Sequence, residues 1–475
     1  MFRGAPWLSA VMFHSLLVAC GRVDNHARTS VGAGAGVAAA PDAGGEGADA
    51  GEGGSGGEPE SDTGITITGT LVDSWRRPAA GCLVALGTAT ALTGSLGEFH
   101  FEHVAPPYDI AFTIPGVPNL GLWAELWLYT GLTRADPTLQ FDRVLVNQQT
   151  LLSVQQTNIP MLAAAAPAKL RRAMSFAAPG LELGASDLEP LDDSGEFLTG
   201  GFWAGGSSIS GTMHSLAWLS PSGDPAGLDL QFLSYQERPY TLSDDPSLGP
   251  IARVTLDFSP NAVPTETYPV AIRGEPISGT VLHSEVVFES NAAIWLSERE
   301  NPEGTINVPM PVLPGGHAVF SAVRSSPQSG ASFVHHRADS SGSLTALTMP
   351  TPRTLTAPDA DAANVTATTR FVWSDGASVS TLDVHCWKSG FDLHVVTAAN
   401  SATCPVVPAL ASRLPANDTC QWSVGVHGAF ARTDDAAGPS GFLDGCAYPG
   451  ERQTGPLLDD GFRTRSSWRA FTTAP

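Results

Sequence analysis

The chain has 475 residues, including 50 glycines and 37 prolines, and its 47 acidic against 25 basic residues give a formal charge of −22. That length exceeds what one hydrophobic core supports, and only 15% charged residues with so much glycine and proline disfavours long helices. An acidic chain without a basic cluster excludes nucleic-acid binding by counterion release and peripheral attachment to anionic lipid.

At the start, Arg3 and an apolar run from Ala5 end in Leu17-Val18-Ala19-Cys20. The run is shorter than the about 20 apolar residues a bilayer span requires, so residues 1–20 read as a signal peptide. The Leu-Val-Ala-Cys ending resembles the bacterial lipobox. The resemblance implies a diacylglycerol on the Cys20 sulfur, cleavage before it and acylation of the new amine. Gly21, where aspartate would retain the protein at the inner membrane, implies sorting to the outer membrane. Residues 21–63 are Gly-, Ala- and acid-rich with almost no apolar side chains, so they read as a disordered tether with an end-to-end distance of roughly 35–40 Å.

Residues 64–165 open with alternation in Ile65-Thr66-Ile67-Thr68 and Glu98-Phe99-His100-Phe101-Glu102, the pattern of half-buried strands. Arg77-Pro78, Thr93–Gly97 and Pro106-Pro107 mark turns. Gly69-Thr70-Leu71-Val72-Asp73, Pro78 through Val84, Gly97 through Phe101 and Val104 through Tyr108 together resemble the carboxypeptidase regulatory-like domain. That resemblance implies a transthyretin-like β-sandwich of accessory role. Cys82, in the place of the family's alanine, is expected to be a buried, inert thiol. His100 and His103 are expected on the solvent face. Strand-like runs at Leu122–Tyr129, Arg143–Val146 and Leu151–Gln155 are expected to complete this module, up to the alanine-rich break at Ala163–Ala168.

Residues 166–350 form a middle β-sandwich region of one or two domains. Strands are expected at Ile209–Leu219, Leu228–Tyr235, Ala252–Phe258, Val281–Phe288, Ile294–Ser297, Ala318–Val323 and Ser343–Met349. "ISGT" at Ile209–Thr212 and Ile277–Thr280, with "TITGT" at Thr66–Thr70, reads either as a decayed repeat or as a generic strand opening. Within these residues nucleophile-elbow, zinc-protease, Walker and EF-hand spacings do not occur. His335 and His336 are adjacent on a strand and point to opposite faces. Glu275, Glu285 and Glu289 are the carboxylates a glycosidase reading would need, and they read as solvated surface acids.

In residues 351–475, Phe371-Val372-Trp373, Leu382–Trp387, Leu393–Thr397, Leu414-Pro415, Cys420-Gln421-Trp422-Ser423-Val424 and Trp468–Thr472 set out a further sandwich. His385 and His394, flanking a Ser389-Gly390 turn, are expected opposite each other on the outward face. They lack a third ligand and read as a plain surface pair rather than a metal site. Asp434, Asp435 and Asp444 read as a solvated acidic loop. The order of these segments resembles a fibronectin type III-like domain, with Cys420 at the tyrosine position of its Leu-Pro turn. That topology puts the end of strand C beside the start of strand F and implies disulfides Cys386–Cys420 and Cys404–Cys446.

The chain is therefore expected to be an all-β protein of tandem sandwiches after a signal peptide and a linker. Its expected role is a non-catalytic envelope lipoprotein serving structure, adhesion or recognition. The membrane is engaged through Cys20, with a protein or polysaccharide ligand and no cofactor or metal. The alternatives are a surface carbohydrate-binding protein using Trp203 or Trp218, or a hydrolase with its site in residues 166–350.

Overall fold

The computed structural model describes residues 64–73, 76–116, 124–141, 148–158, 169–177, 181–182, 186–188, 196–203, 208–220, 228–243, 251–259, 261, 263–274, 279–290, 292–326, 330–410, 413–428, 430–439, 441 and 461–475. The expected signal peptide, Cys20, the tether, the strand at Arg143–Val146, the alanine-rich break, Glu275, Asp444 and Cys446 lie outside them.

Alternation makes the first strands what they are. In β1 (Ile65–Val72) Ile67 and Leu71 are buried, and in β4 (Glu98–Val104) Phe99 and Phe101 point inward while His100 and Glu102 face out. With β7 (Thr138–Gln140) these form a sheet in the order β4-β1-β7. Facing it are β2 (Leu83–Leu86), β3 (Ala89–Leu92), β5 (Tyr108–Ile114) and β6 (Glu125–Leu132), in the order β3-β2-β5-β6. Phe112, Trp127, Tyr129 and Phe141 fill the space between. Each such side chain contributes about 1.5–3 kcal/mol on burial. Cys82 is buried in the same core, as expected. Gly97 has φ +73°, and a Cβ there would lie 2.3 Å from the Leu71 carbonyl oxygen, so this turn requires glycine.

The middle region begins with β8 (Gln148–Thr157), β9 (Lys169–Ala177), β10 (Leu181–Glu182), β11 (Ser186–Leu188), β12 (Glu196–Trp203), β13 (Ser208–Ser220), β14 (Gln231–Ser243) and β15 (Ile251–Asp257). They make two sheets, β10-β12-β8-β15 and β11-β9-β13-β14, so Leu151–Gln155, expected to complete the first sandwich, pairs instead with β12 and β15. Next come β16 (Thr265–Arg273), β17 (Thr280–Phe288), β18 (Ala293–Glu300), β19 (Thr305–Pro311), β20 (Gly316–Ser326), β21 (Gly330–Arg337) and β22 (Thr345–Thr348). The sheet β19-β16-β22 covers the ladder β18-β17-β20-β21. One apolar cluster runs from Ala173, Leu216 and Trp218 through Phe288 and Phe320 to Leu347 and Met349.

The last part holds β23 (Leu355–Ala357), β24 (Ala362–Val365), β25 (Arg370–Trp373), β26 (Ser380–Cys386), β27 (Phe391–Thr397), β28 (Ser401–Thr403), β29 (Thr419–His427), the single turn α1 (Thr433–Ala436), β30 (Gly461–Arg465) and β31 (Arg469–Thr473). The sheet β23-β25-β28 packs on β27-β26-β29-β31. Between them Trp422 is wholly buried, edge-on to Phe371 at 5.1 Å.

These layers are joined edge to edge. One sheet runs β18-β17-β20-β21-β30-β29-β26-β27-β6-β5-β2-β3, with β31 and β24 attached at β29. The joint between β27 and β6 is parallel, Asp392 opposite Glu125 and Val396 opposite Tyr129. The joint between β21 and β30 is antiparallel, Ala331 opposite Arg465. Strand edges left open are unpaired donors and acceptors, and here the edges of β6 and β27 satisfy each other, as do those of β21 and β30. Residues 61–475 accordingly form one compact unit.

Candidate functional site

Several ionisable side chains at these joints gather around Asp383, on the face of β26 away from the Trp422 core. The β26–β27 hairpin pairs Cys386 with Phe391, so its loop is the four residues Trp387 to Gly390 rather than the two-residue Ser389-Gly390 turn expected. The reason lies in β29's neighbour Asp418. Its carboxylate accepts hydrogen bonds from the Lys388 amide at 3.1 Å and the Ser389 amide at 2.9 Å, and Gly390 supplies a φ of +68°. The longer loop shifts the register by two residues, which corrects the expected histidine pair. His385 stands opposite Asp392, and His394 opposite Asp383. Neither histidine is a surface residue, with side chains 18% and 15% exposed.

His394 Nδ1 donates to Asp383 Oδ1 at 2.8 Å, and its ring stacks on Trp127 of β6 at 4.2 Å. Arg465 Nη2 of β30 donates to Asp383 Oδ2 at 3.2 Å. Burial works to raise the pKa of Asp383. The Arg465 charge, the His394 hydrogen bond and the charges of His394 and His427 outweigh it, so the carboxyl titrates below the usual carboxylate range. One carboxylate thus ties β26 to β27 and β30, and through His394 to β6. Further out, His385 Nδ1 donates to Asp392 Oδ1 at 2.5 Å, and Trp387 meets His385 edge-on. Each Asp383 oxygen accepts a bond from a different strand, an arrangement that orients the strands.

A second contact ties the same regions. Asp434 in α1 accepts from the Thr133 amide at 2.8 Å, the Arg134 amide at 3.2 Å and the Thr133 hydroxyl. Arg134 Nη1 returns a bond to the Asp434 carbonyl at 2.9 Å, and the Thr138 amide donates to Ala437 O at 2.7 Å. Burial pushes the Asp434 pKa up, but the bonds from Thr133 and Arg134 and the Arg432 charge bring it below the ordinary value. The segment read as a solvated acidic loop is, at Asp434, a bonded clamp. Ala436 and Ala437 join the Phe112–Tyr129 core.

Cys386 and Cys420 form a disulfide, as direct partners across β26 and β29. Cys404 is a free thiol buried in the same core, its pKa pushed up to about 12 by burial. Cys446, its expected partner, lies outside the described residues.

Other candidates are dispersed. Trp218, expected as a sugar platform, is 2% exposed and packs into the middle core beside Leu216 and Phe232, so it offers no binding surface. The side chain of Trp203 lies outside the described residues. His100 and His103 are exposed and flank Glu102. His335 and His336 pair with Ser321 and Phe320 and point to opposite faces. Glu285 lies on β17 and Glu289 beyond its end. A hydrogen-bonded chain that the sequence reading missed links His214, Tyr235 and Glu237. The tyrosine hydroxyl donates to Glu237 Oε1 at 2.7 Å and lies 2.9 Å from His214 Nδ1. His214 stacks on Phe288 at 3.7 Å, and burial lowers its pKa against the pull of Glu237. The three residues lie on two paired strands, yet their spacing carries no signature. Among the described residues no group of three or more His, Cys, Asp or Glu is placed to hold a metal ion.

No protein-family model and no curated protein matches the chain. Among solved structures, it is similar to the Bacillus anthracis TIE protein at 8% identity over 60% of this chain and 51% of that one, with a TM-score of 0.15. It is also similar to BcpA, the major pilin subunit of Bacillus cereus, at 6% identity over 60% of this chain and 98% of that one, TM-score 0.13. A third likeness is to a streptococcal ancillary pilin, at 8% identity over 60% of this chain and 99% of that one, TM-score 0.14. The chain thus spans about half the length of the first of these. Scores this low define no shared arrangement of strands, and nothing about function follows from them.

Proposed function

We propose that the protein is a membrane-anchored lipoprotein of the bacterial cell envelope, held at the outer membrane through Cys20, with a non-catalytic role in structure, adhesion or ligand recognition. The observation that carries this reading is the fusion of the β-layers. A continuous sheet, a disulfide and two polar clamps make residues 61–475 one body, suited to presenting surfaces at a fixed spacing. The layer orders β4-β1-β7 over β3-β2-β5-β6 and β23-β25-β28 over β27-β26-β29-β31 support the readings of a carboxypeptidase regulatory-like and a fibronectin type III-like module. The lipobox-like Leu17–Cys20 and the Gly/Ala/acidic stretch 21–63 support an anchor followed by a spacer. Several acyl chains at about 0.8 kcal/mol per methylene give stable attachment.

The test is Cys20→Ala in the full chain, followed by acyl labelling and fractionation. The expected result is loss of both label and membrane retention. A variant that still sediments with membranes like the unaltered chain contradicts the anchor.

A further inference from the structure

The continuous sheet ends at two strands that are protected very differently. At one end β18 carries Glu298, Arg299 and Glu300 and lies against β9. Charges and covering of this kind keep an edge from pairing with another chain. At the other end β3 pairs with β2 and, among the described residues, with no other strand. Three of its four residues are exposed. No charged residue lies between Arg77 and Glu98. Leu92 and Leu96, 67% and 70% exposed, are the two most exposed large apolar side chains among the described residues.

We infer that the β3 edge is a homotypic docking surface, where β3 of a second copy adds antiparallel to the first about a two-fold axis. A two-fold pairing is self-complementary, so each Ala89–Leu92 strand supplies what the other needs. Charge selects this occupant. Two copies of a chain at −22 repel over most of their surfaces, and the uncharged run from Pro78 to Gly97 is where approach costs least. The run also presents no charge by which to select an acidic or basic partner peptide. A head-to-tail union of β3 with β18 would place apolar leucines against the Glu298–Glu300 charges. Four strand residues and two leucines per copy cover less than the ~1,200 Å² of a stable interface, so the contact is weak and forms at high local concentration.

The test places a benzophenone photocrosslinker at Ala89 of the full chain, with the same probe at Leu344, itself 50% exposed, as control. Irradiation over a range of concentrations should give a two-copy adduct from position 89, with a yield that rises with concentration. Thr90→Lys puts like charges across the two-fold axis and should lower that yield about tenfold, a loss of ~1.4 kcal/mol. Thr90 is exposed, so this variant should keep its thermal midpoint. Absence of the adduct at every concentration, equal yield from position 344, insensitivity to Thr90→Lys, or crosslinking to a different protein would each overturn the inference.

Discussion

Asp383 shows how one residue can join distant parts of a chain. Its carboxylate receives His394 and Arg465, from strands before and after it in the sheet, and its neighbour His394 rests on Trp127. Removing one partner of a buried pair leaves the others uncompensated and costs about 3–5 kcal/mol. Asp383→Asn should therefore lower the urea midpoint at pH 7 by that order of stability. Because the folded pKa lies below the ordinary value, the charge contributes fully above the unfolded pKa of about 3.9 and is lost as pH falls through the folded one. The gap between the parent chain and Asp383→Asn should thus be full at pH 7 and narrow below about pH 4. A gap unchanged at pH 3 would show that the carboxylate charge is not what stabilises the joint. The Cys386–Cys420 bridge acts differently, through the unfolded chain. With a sequence separation of 34, replacing both cysteines with alanine should cost about 3–4 kcal/mol by loop entropy, with little effect of pH.

At the scale of elements, the clamp between α1 and the end of β6 holds by hydrogen bonds to main-chain amides. Asp434→Ala leaves the Thr133 and Arg134 amides without that acceptor, a loss of about 1–3 kcal/mol. The expected outcome is faster hydrogen exchange at those two amides with β4 unchanged, whereas unchanged exchange at both would remove the clamp from the account. Strands with clean alternation or apolar runs, such as β1, β4, β13, β17, β20 and β26, were legible in the sequence. The expected Ile209–Leu219 run falls within Ser208–Ser220, and Val281–Phe288 within Thr280–Phe288. β16, β19 and β9 were not read. Pro269, Pro309 and Pro311 interrupt the first two, and Lys169, Arg171 and Arg172 make the third look like a connection. The His–Asp register was missed for a local reason, since the residue that lengthens the β26–β27 loop is Asp418, on a different part of the chain.

At the scale of the whole molecule, what the sequence could not reveal is how its sandwiches meet. Thr130 Oγ1 bonds Val396 O across 266 residues, and no periodicity in either segment announces the other as partner. The Cys386–Cys420 pairing was accessible because it lies inside one recognisable module. The β6–β27 and β21–β30 joints were not, because they lie between modules. These joints should make the chain one cooperative body. Trp127 belongs to the first core and stacks on His394, but two strands, β27 and β26, separate its strand from β29. Trp127→Ala should cost about 3–5 kcal/mol. Native-state hydrogen exchange on the full chain carrying Trp127→Ala is the direct measurement. A similar fall in opening free energy is expected at β5 and at β29. A fall confined to β5 and β6, with β29 as protected as in the parent chain, would contradict it.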